Sequence, residues 1–349
     1  MLKLLTGLLA ATAMTGAAHA QSPSIEIEDF YGTIVLELHS SGPVTAIKSG
    51  PGADEVEIRG TNRVRIDGGD EIDRKDWWKE YQRERKGFGN RGWNDTDKAD
   101  RTLEKMLEDR PTLTITAPEG TDITIGGSAF KLTTEGDAGS VTITNNIHLW
   151  ARLNDAEEAD VSVHGSGYLK MGDIARMLGA SVHGSGDIIA GAAQSAELSV
   201  HGSGDLEMDG VRERLRASVH GSGDLNVKEV GGSAKANVHG SGDIELGSVA
   251  GGFDGKVHGS GDLKVREVAG RVDAGIHGSG DLDIDGGEAD ELTVSVHGSG
   301  EFTFRGTAKT AKLRSWGSGE IEVAEVSGRV EAKGKNIRVD GQRIGRDSD

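Results

Sequence analysis

One eight-residue motif, Ser-Val-His-Gly-Ser-Gly-Asp-Leu, stands at residues 199–206 and returns with few changes along the second half of the chain. The histidines of its copies are His164, His183, His201, His220, His239, His258, His277 and His297. A ninth copy has Trp316 in place of histidine, and successive copies start 18 to 20 residues apart. A fixed period of this length is typical of repeat proteins, in which each unit packs mainly on its two neighbours.

Within each copy, apolar and polar residues alternate as in a half-buried β-strand. In the copy at residues 199–206, Leu206 is followed by Glu207 and Met208, and valine or isoleucine precedes the histidine in all eight copies that have one. Helical repeats are longer, roughly 33–47 residues, and avoid glycine inside their helices. The pattern therefore predicts an all-β fold, a parallel β-helix whose coils of about 19 residues stack about 4.8 Å apart.

The Gly-Ser-Gly segment of every copy is expected to form a corner of the coil. Glycine adopts positive φ angles without a steric penalty, and it also lets neighbouring backbones approach closely. We expect the corner to use both properties and its identical residues to serve stacking, without a bound ligand. The aspartate that usually follows is expected to accept backbone N–H groups at the turn.

The first 20 residues predict a secretory signal peptide. Lys3 precedes an apolar run, and Ala18-His19-Ala20 is a small-x-small cleavage site before Gln21. The run is short for a membrane-spanning helix, and no second candidate span follows it. The chain contains no cysteine, so it offers neither a lipid-attachment site nor a disulfide. We therefore expect a periplasmic or secreted protein that is not a lipoprotein, with no integral membrane segment after cleavage at Ala20.

After the signal peptide, the pattern separates four segments. Alternating residues predict irregular coils over 21–69 and 111–160, and the regular coils extend over 161–340. Residues 70–110 interrupt the alternation with a charged, tryptophan-rich stretch. Leu103, Met106 and Leu107 follow helical spacing there, which predicts a partly helical insertion.

The recurrent pattern V-x-G-S-G-D-[IL], in a glycine-rich chain with an export signal, resembles the putative auto-transporter adhesin, head GIN domain family. The resemblance is good over residues 160–332 and weaker over residues 25–160. It implies a right-handed parallel β-helix and, through the name of the family, a binding role at the bacterial envelope. It brings no set of catalytic residues to this chain.

The charge of the chain limits the partners that it can have. Its net charge is −18, which argues against nucleic acid and anionic lipid as general partners. We expect the partner to be an envelope protein or a glycan. The interpretation that we favour is an exported, non-enzymatic β-helix that acts as a binding, adhesion or scaffolding module of the envelope.

Each regular coil contains a histidine, a serine and usually an aspartate, which are the residue types of a hydrolase triad. Side chains two apart on a strand stand about 6–7 Å apart, however, and a triad requires one hydrogen-bonded set beside an oxyanion hole. Because eight similar sets recur along the chain, we favour a structural role for them in the stacking of the coils. We assign no catalytic, cofactor-binding or metal-binding residue.

Two alternative functions stay open. The first is a polysaccharide-cleaving β-helix enzyme, which would need a non-repeated aromatic or charged groove built by residues 70–160. The second is a metal-binding protein in which the stacked histidines bridge zinc, nickel or copper ions between coils.

The insertion is the least repetitive part of the chain, and we expect any specific ligand to contact it. It contains Trp77, Trp78, Tyr81 and Trp93. Aromatic residues interleaved with arginine and lysine dominate binding hot spots. The competing interpretation is that these aromatic residues only pack against the rod and seal it.

Overall fold

A computed structural model describes residues 22–39, 41–69, 74–87, 95–144 and 146–344. The predicted signal peptide and Trp93 lie outside these residues. The described chain forms a parallel β-solenoid of about 11 turns with a spacing of about 19 residues, so the predicted all-β solenoid is confirmed.

The elements of the first half are β1 (Ser24–Glu28), β2 (Tyr31–His39), β3 (Thr45–Ser49), a 3-10 turn (Ala53–Glu55), β4 (Glu57–Arg59), β5 (Arg63–Asp67), α1 (Arg74–Gly87), α2 (Asp95–Leu107), β6 (Thr112–Pro118), β7 (Asp122–Gly126), β8 (Ala129–Glu135), β9 (Ala138–Ile143), β10 (His148–Arg152), β11 (Ala156–Val163) and β12 (Tyr168–Met171). The strands of the second half are β13 (Ile174–Val182), β14 (Asp187–Val200), β15 (Leu206–Val219), β16 (Leu225–Val230), β17 (Ser233–Val238), β18 (Ile244–Val249), β19 (Phe253–Val257), β20 (Leu263–Ile276), β21 (Leu282–Ile284), β22 (Gly287–Val296), β23 (Phe302–Ser315), β24 (Ile321–Val326), β25 (Val330–Gly334), β26 (Ile337–Val339) and β27 (Gln342–Arg343).

Stacked columns of aliphatic side chains fill the interior of the rod. The residue before the histidine of each repeat motif is fully buried, and the residue five places after this histidine forms a second buried column. Neighbouring coils pair in register, so Val200 lies beside Val182 on one side and Val219 on the other. Because strand residues alternate between the two faces, every other residue of these strands enters the core, as the sequence pattern predicts.

The Gly-Ser-Gly corners stack directly on one another. A Cβ atom on Gly240 would lie 2.0 Å from the carbonyl oxygen of Gly221 in the preceding coil. Among the corner glycines, only Gly165 and Gly317, in the first and last copies, have positive φ. The expectation that the corner requires positive φ is therefore wrong for the copies between them, and close approach of the coils is the reason for their glycines.

The polar side chains of the motif form two ladders along the outside of the rod. From Asp187 to Asp281, each aspartate carboxylate accepts the backbone N–H of the equivalent acidic residue in the next coil at 2.7–3.1 Å. The predicted acceptor role is confirmed, and the bond joins neighbouring coils. The histidine rings stack with centroid distances of 4.7–5.0 Å, and Trp316 continues the row on His297 at 4.4 Å.

At the N-terminal end, the coils do not stack in chain order. Strand β1 lies between β5 and β7, and β2 lies between β6 and β8, all in parallel pairing. The coil made by β5 and β6 is therefore the outer one, although it follows β1 and β2 in the chain. Antiparallel strands β4 and β3 then pair with β5 and β6 and cover this end, which protects edges that would otherwise recruit other strands.

The two helices belong to the connection between β5 and β6, which confirms a partly helical insertion. Leu103, Met106 and Leu107 of α2 are buried, as their helical spacing predicts. Glu84 of α1 and Lys105 of α2 join the helices by an ion pair of 2.5 Å. Helix α2 lies against β2 and β8, so the insertion packs on the side of the rod.

Candidate functional site

The aromatic residues of this chain are few, and most of the polar ones meet at the insertion. All three tyrosines and three of the five tryptophans of the sequence lie on α1 or on the strands around it. They are Tyr31, Trp77, Trp78, Tyr81, Trp150 and Tyr168. We call this set the aromatic surface. Apart from Trp316, which continues the row of histidines, the described rod carries no other tyrosine or tryptophan.

Two outward rows of strand residues position this surface. Tyr31, Ala129 and His148 are aligned on β2, β8 and β10, so their side chains form one row across three coils. Lys131, Trp150 and Tyr168 form the next row, two residues further along their strands. Helix α1 covers the first row, and the small side chain of Ala129 leaves space for the rings of the helix.

Trp77 and Tyr81 enclose His148. Their ring centroids are 5.2 Å apart, and each lies 5.1 Å from the imidazole centroid. All three side chains are buried. The spacing of four residues places Trp77 and Tyr81 on one side of α1, and this side faces the rod.

Burial lowers the pKa of His148 to about 3. A charged imidazolium would lose its hydration in this aromatic setting without an acidic partner, so the neutral ring is favoured. The Nδ1 atom of His148 is buried and has no hydrogen-bond partner among the described residues. His148 is thus a neutral packing residue at neutral pH, and it is unsuited to carry a proton in catalysis.

Trp78 is the exposed residue of this surface, and Trp150 is half-buried at its edge. Trp78 is 43% exposed and stacks on Tyr81 with a centroid distance of 5.3 Å. Trp150 lies between two cations, with Lys131 Nζ and Arg152 Cζ each 4.7 Å from its ring centroid. Such contacts hold an aromatic ring in one orientation at the surface. An ordered ring beside cations suits the recognition of a polar partner.

Tyr31 borders the surface on its other side. The Arg110 guanidinium lies 4.2 Å from the Tyr31 ring centroid. Burial raises the pKa of Tyr31 to about 12; the Glu80 carboxylate adds to the rise, and Arg110 opposes it. The hydroxyl therefore stays protonated at any physiological pH.

The carboxylates next to this surface are engaged with cations. Glu104 pairs with Lys131, and Glu80 lies 3.9 Å from Arg110. A glycoside-cleaving site needs two carboxyl groups that face the same bond, one of them protonated. The arrangement at the insertion is instead that of ion pairs that hold a packed surface.

The structure brings together three of the four predicted ligand-contact residues. Trp77 and Tyr81 are buried between α1 and the rod, and Trp78 is exposed at the surface. Trp93 lies outside the described residues. Their role in ligand contact stays a prediction.

Sequence reasoning missed the strand residues of the surface, namely Tyr31, His148, Trp150 and Tyr168. A signal was present, because polar aromatic residues are rare in this chain and these fall in the coils next to the insertion.

The buried imidazole predicts a loss of stability in acid. Once the pH falls below about 6.5, the unfolded chain binds a proton at His148 and the folded chain does not, until the pH approaches about 3. The free energy of unfolding should therefore decrease by about 1.4 kcal/mol per pH unit across this window and be unaffected by His148 above it. Denaturant melts of the wild type and His148→Phe at pH 7 and pH 5 measure this.

We expect His148→Phe to remove about 2 kcal/mol of the difference between pH 7 and pH 5. His39→Gln, which removes an exposed histidine, is the matched control. An unchanged pH dependence in His148→Phe would show that the ring is solvated in the folded chain. The row of histidines should add a smaller effect of the same sign. Partial burial, followed by the neighbouring imidazoles, lowers the pKa of His201, His239 and His258, and Lys256 lowers that of His258 further.

The geometry of the histidine ladder bears on metal binding. Zinc–nitrogen bonds are about 2.1 Å long, so two of them span about 4.2 Å even in a straight line. Most neighbouring rings are nearly parallel and 4.7–5.0 Å apart, too far to share one ion in this arrangement. Across the described residues, no three histidine, aspartate or glutamate side chains form a group that could hold a metal ion.

None of the helices in the described part of the chain is both long and apolar enough to cross a membrane. Searches of the curated proteins and of the solved structures gave no match. A family model described as putative auto-transporter adhesin, head GIN domain, matches residues 98–248, 174–269 and 255–335. These matches extend over more than half of the sequence and include the regular coils up to residue 335. With its stacked Gly-Ser-Gly corners, this chain belongs to the putative auto-transporter adhesin, head GIN domain family.

Proposed function

We propose that this protein is an exported, non-enzymatic binding module of the bacterial envelope, in which the solenoid displays the aromatic surface to an envelope protein or a glycan. Export is supported by the signal peptide pattern at residues 1–20. The observation that carries the proposal is the aromatic surface itself, with Trp78 exposed and Trp150 held between Lys131 and Arg152.

Several features support binding over catalysis. The nearby histidine is neutral and enclosed, because burial lowers the pKa of His148 to about 3. The nearby carboxylates Glu80 and Glu104 face cations. Tryptophan and arginine are enriched in binding hot spots, and the surface offers the exposed Trp78 together with Trp150, which is half-buried between Lys131 and Arg152. Among the predicted ligand-contact residues of the insertion, Trp78 is the one that a ligand would contact. Trp77 and Tyr81 are buried and stack against Trp78, which holds its ring in place.

A binding screen with defined envelope glycans and purified envelope proteins, followed by single substitutions, tests the proposal. We expect Trp78→Ala and Trp150→Ala to weaken binding at least about tenfold, the usual effect of removing a hot-spot aromatic residue. Trp316→Ala is the matched control, because Trp316 is 42% exposed and Trp78 is 43% exposed. It should leave binding unchanged.

Thermal melts of the same variants separate binding from folding. Trp78→Ala should change the melt little, whereas Trp77→Ala removes a buried ring and should cost about 3–5 kcal/mol. Binding that survives both Trp78→Ala and Trp150→Ala would reject the aromatic surface as the site. Release of shorter products from any glycan in the screen would favour the enzymatic alternative.

A further inference from the structure

The regular coils carry a groove on a different part of the rod. Strands β15, β17, β19 and β20 lie side by side there and line a space of about 400 Å³. Arg214 and Arg271 occupy the same outward position three coils apart, about 14 Å along the rod. Ser233 and Gly252 occupy this position in the two coils between them, so the groove is a gap between two arginines.

The groove is rich in cations although the chain is acidic. Arg214, Arg216, Lys235 and Arg271 line it together with the carboxylates Asp254 and Asp273. Lys235 lies 3.4 Å from Asp254, and Arg271 lies 3.7 Å from Glu291. Arg214 and Arg216 make no ion pair with any other residue that the structure describes. Glu197 is aligned with Arg216 in the preceding coil, but neither arginine is held in an ion pair with a described residue, so both are available for an anionic ligand.

The depth of the groove depends on Gly252, and the backbone does not require glycine there. A Cβ atom on Gly252 would meet only the carbonyl oxygen of Arg271, at the ordinary contact distance of 3.5 Å, and φ is not positive. At the corner glycines of the central copies, by contrast, a Cβ would lie about 2 Å from a carbonyl oxygen, as at Gly240. The glycine at 252 is therefore not needed for the close stacking of the coils. Its lack of a side chain leaves space in the groove.

We infer that this groove binds an acidic polysaccharide by contacting the carboxylates and hydroxyls of the sugar chain. Arginine binds carboxylates in a planar, bidentate geometry. Asp273 and Ser233 can accept hydrogen bonds from sugar hydroxyls in the same groove. An acidic peptide also brings carboxylates for the arginines, but side chains such as those of poly-glutamate offer no hydroxyl that could donate to Asp273 or Ser233. The ring of Phe253 is buried in the core beneath the groove, which leaves no pocket for the apolar anchor that a protein partner usually inserts.

The inference rests on the proposed function only in treating the chain as a binding module, because no residue of the groove belongs to the aromatic surface. Titration calorimetry of the full chain with oligogalacturonate, a carboxylated sugar chain, measures the affinity. We expect saturable binding that the double variant Arg214→Gln/Arg271→Gln weakens at least about tenfold. Gly252→Gln fills the groove without removing charge and should weaken binding to a similar extent, with an unchanged melt.

Two comparisons make the experiment decisive. Arg212→Gln removes an exposed arginine that does not line the groove, and binding should stay within about twofold of wild type. Poly-glutamate of similar length should bind at least about tenfold more weakly than the sugar. Absent binding, equal weakening by Arg212→Gln, full binding by Gly252→Gln, or equally tight poly-glutamate would each overturn the inference. Trp78→Ala should leave the affinity for oligogalacturonate unchanged, so the proposal for the groove and the proposal for the aromatic surface are tested separately.

Discussion

Alanine in place of Gly240 should destabilise the solenoid by about 3 kcal/mol or more. The new methyl group would lie 2.0 Å from the carbonyl oxygen of Gly221. That oxygen accepts hydrogen bonds from the backbone N–H groups of Ser241 at 2.9 Å and Gly242 at 3.2 Å. The two coils must separate to admit the methyl group, and the separation breaks both bonds. Equilibrium unfolding in denaturant measures the loss.

Gly275→Ala is the matched control for this substitution. Gly275 is a buried strand glycine two residues before His277, and its Cβ would meet nothing closer than Lys256 Cγ at 3.7 Å. Alanine there should be neutral or stabilise the fold by about 0.4–1 kcal/mol, because it restricts the unfolded chain. If Gly240→Ala and Gly275→Ala unfold at the same denaturant concentration, the corners are not stacked as closely as described.

The repeat is the part of the fold that sequence predicts best. Its period and its alternation determine which residues stack and which enter the core, and Val200 between Val182 and Val219 follows directly from them. Of the two reasons predicted for the corner glycines, close approach of the backbones is correct, and positive φ is wrong for most copies. A sequence shows that glycine recurs, and both positive φ and close approach explain recurrence. Only coordinates distinguish the two, because φ depends on how the corner is turned.

The stacking order at the N-terminal end was beyond prediction from the sequence. No repeat relates β1 and β2 to their neighbours, so nothing in the pattern indicates that β5 and β6 pack outside them. The contact between Tyr81 and His148 depends on this arrangement, since it places β10 two coils from β2. The helical side of the aromatic surface could be predicted from the spacing of Trp77 and Tyr81, whereas the strand side required the register of irregular coils.

Deleting one whole coil, residues 237–255, should leave a folded and slightly less stable solenoid. Asn237 pairs with Lys256 and Val238 pairs with Val257 in the next coil, so after the deletion each later residue takes the place of its equivalent. His258 then stacks on His220, and the aliphatic columns continue. Stability in a solenoid is approximately a sum over coils and their contacts, so the loss is about that of one unit.

Deleting only residues 237–245 removes less of the chain and should be far more damaging. Leu246 would then follow Ala236, and the strands after it would enter the coil half a turn out of phase. Apolar side chains would leave the core and charged side chains would enter it, and an unpaired buried charge costs several kcal/mol. We expect the far-ultraviolet circular dichroism of a β-solenoid and a cooperative melt from the whole-coil deletion, and neither from the half-coil deletion. Equal damage from the two deletions would contradict the 19-residue register on which the core, both ladders and the proposed groove depend.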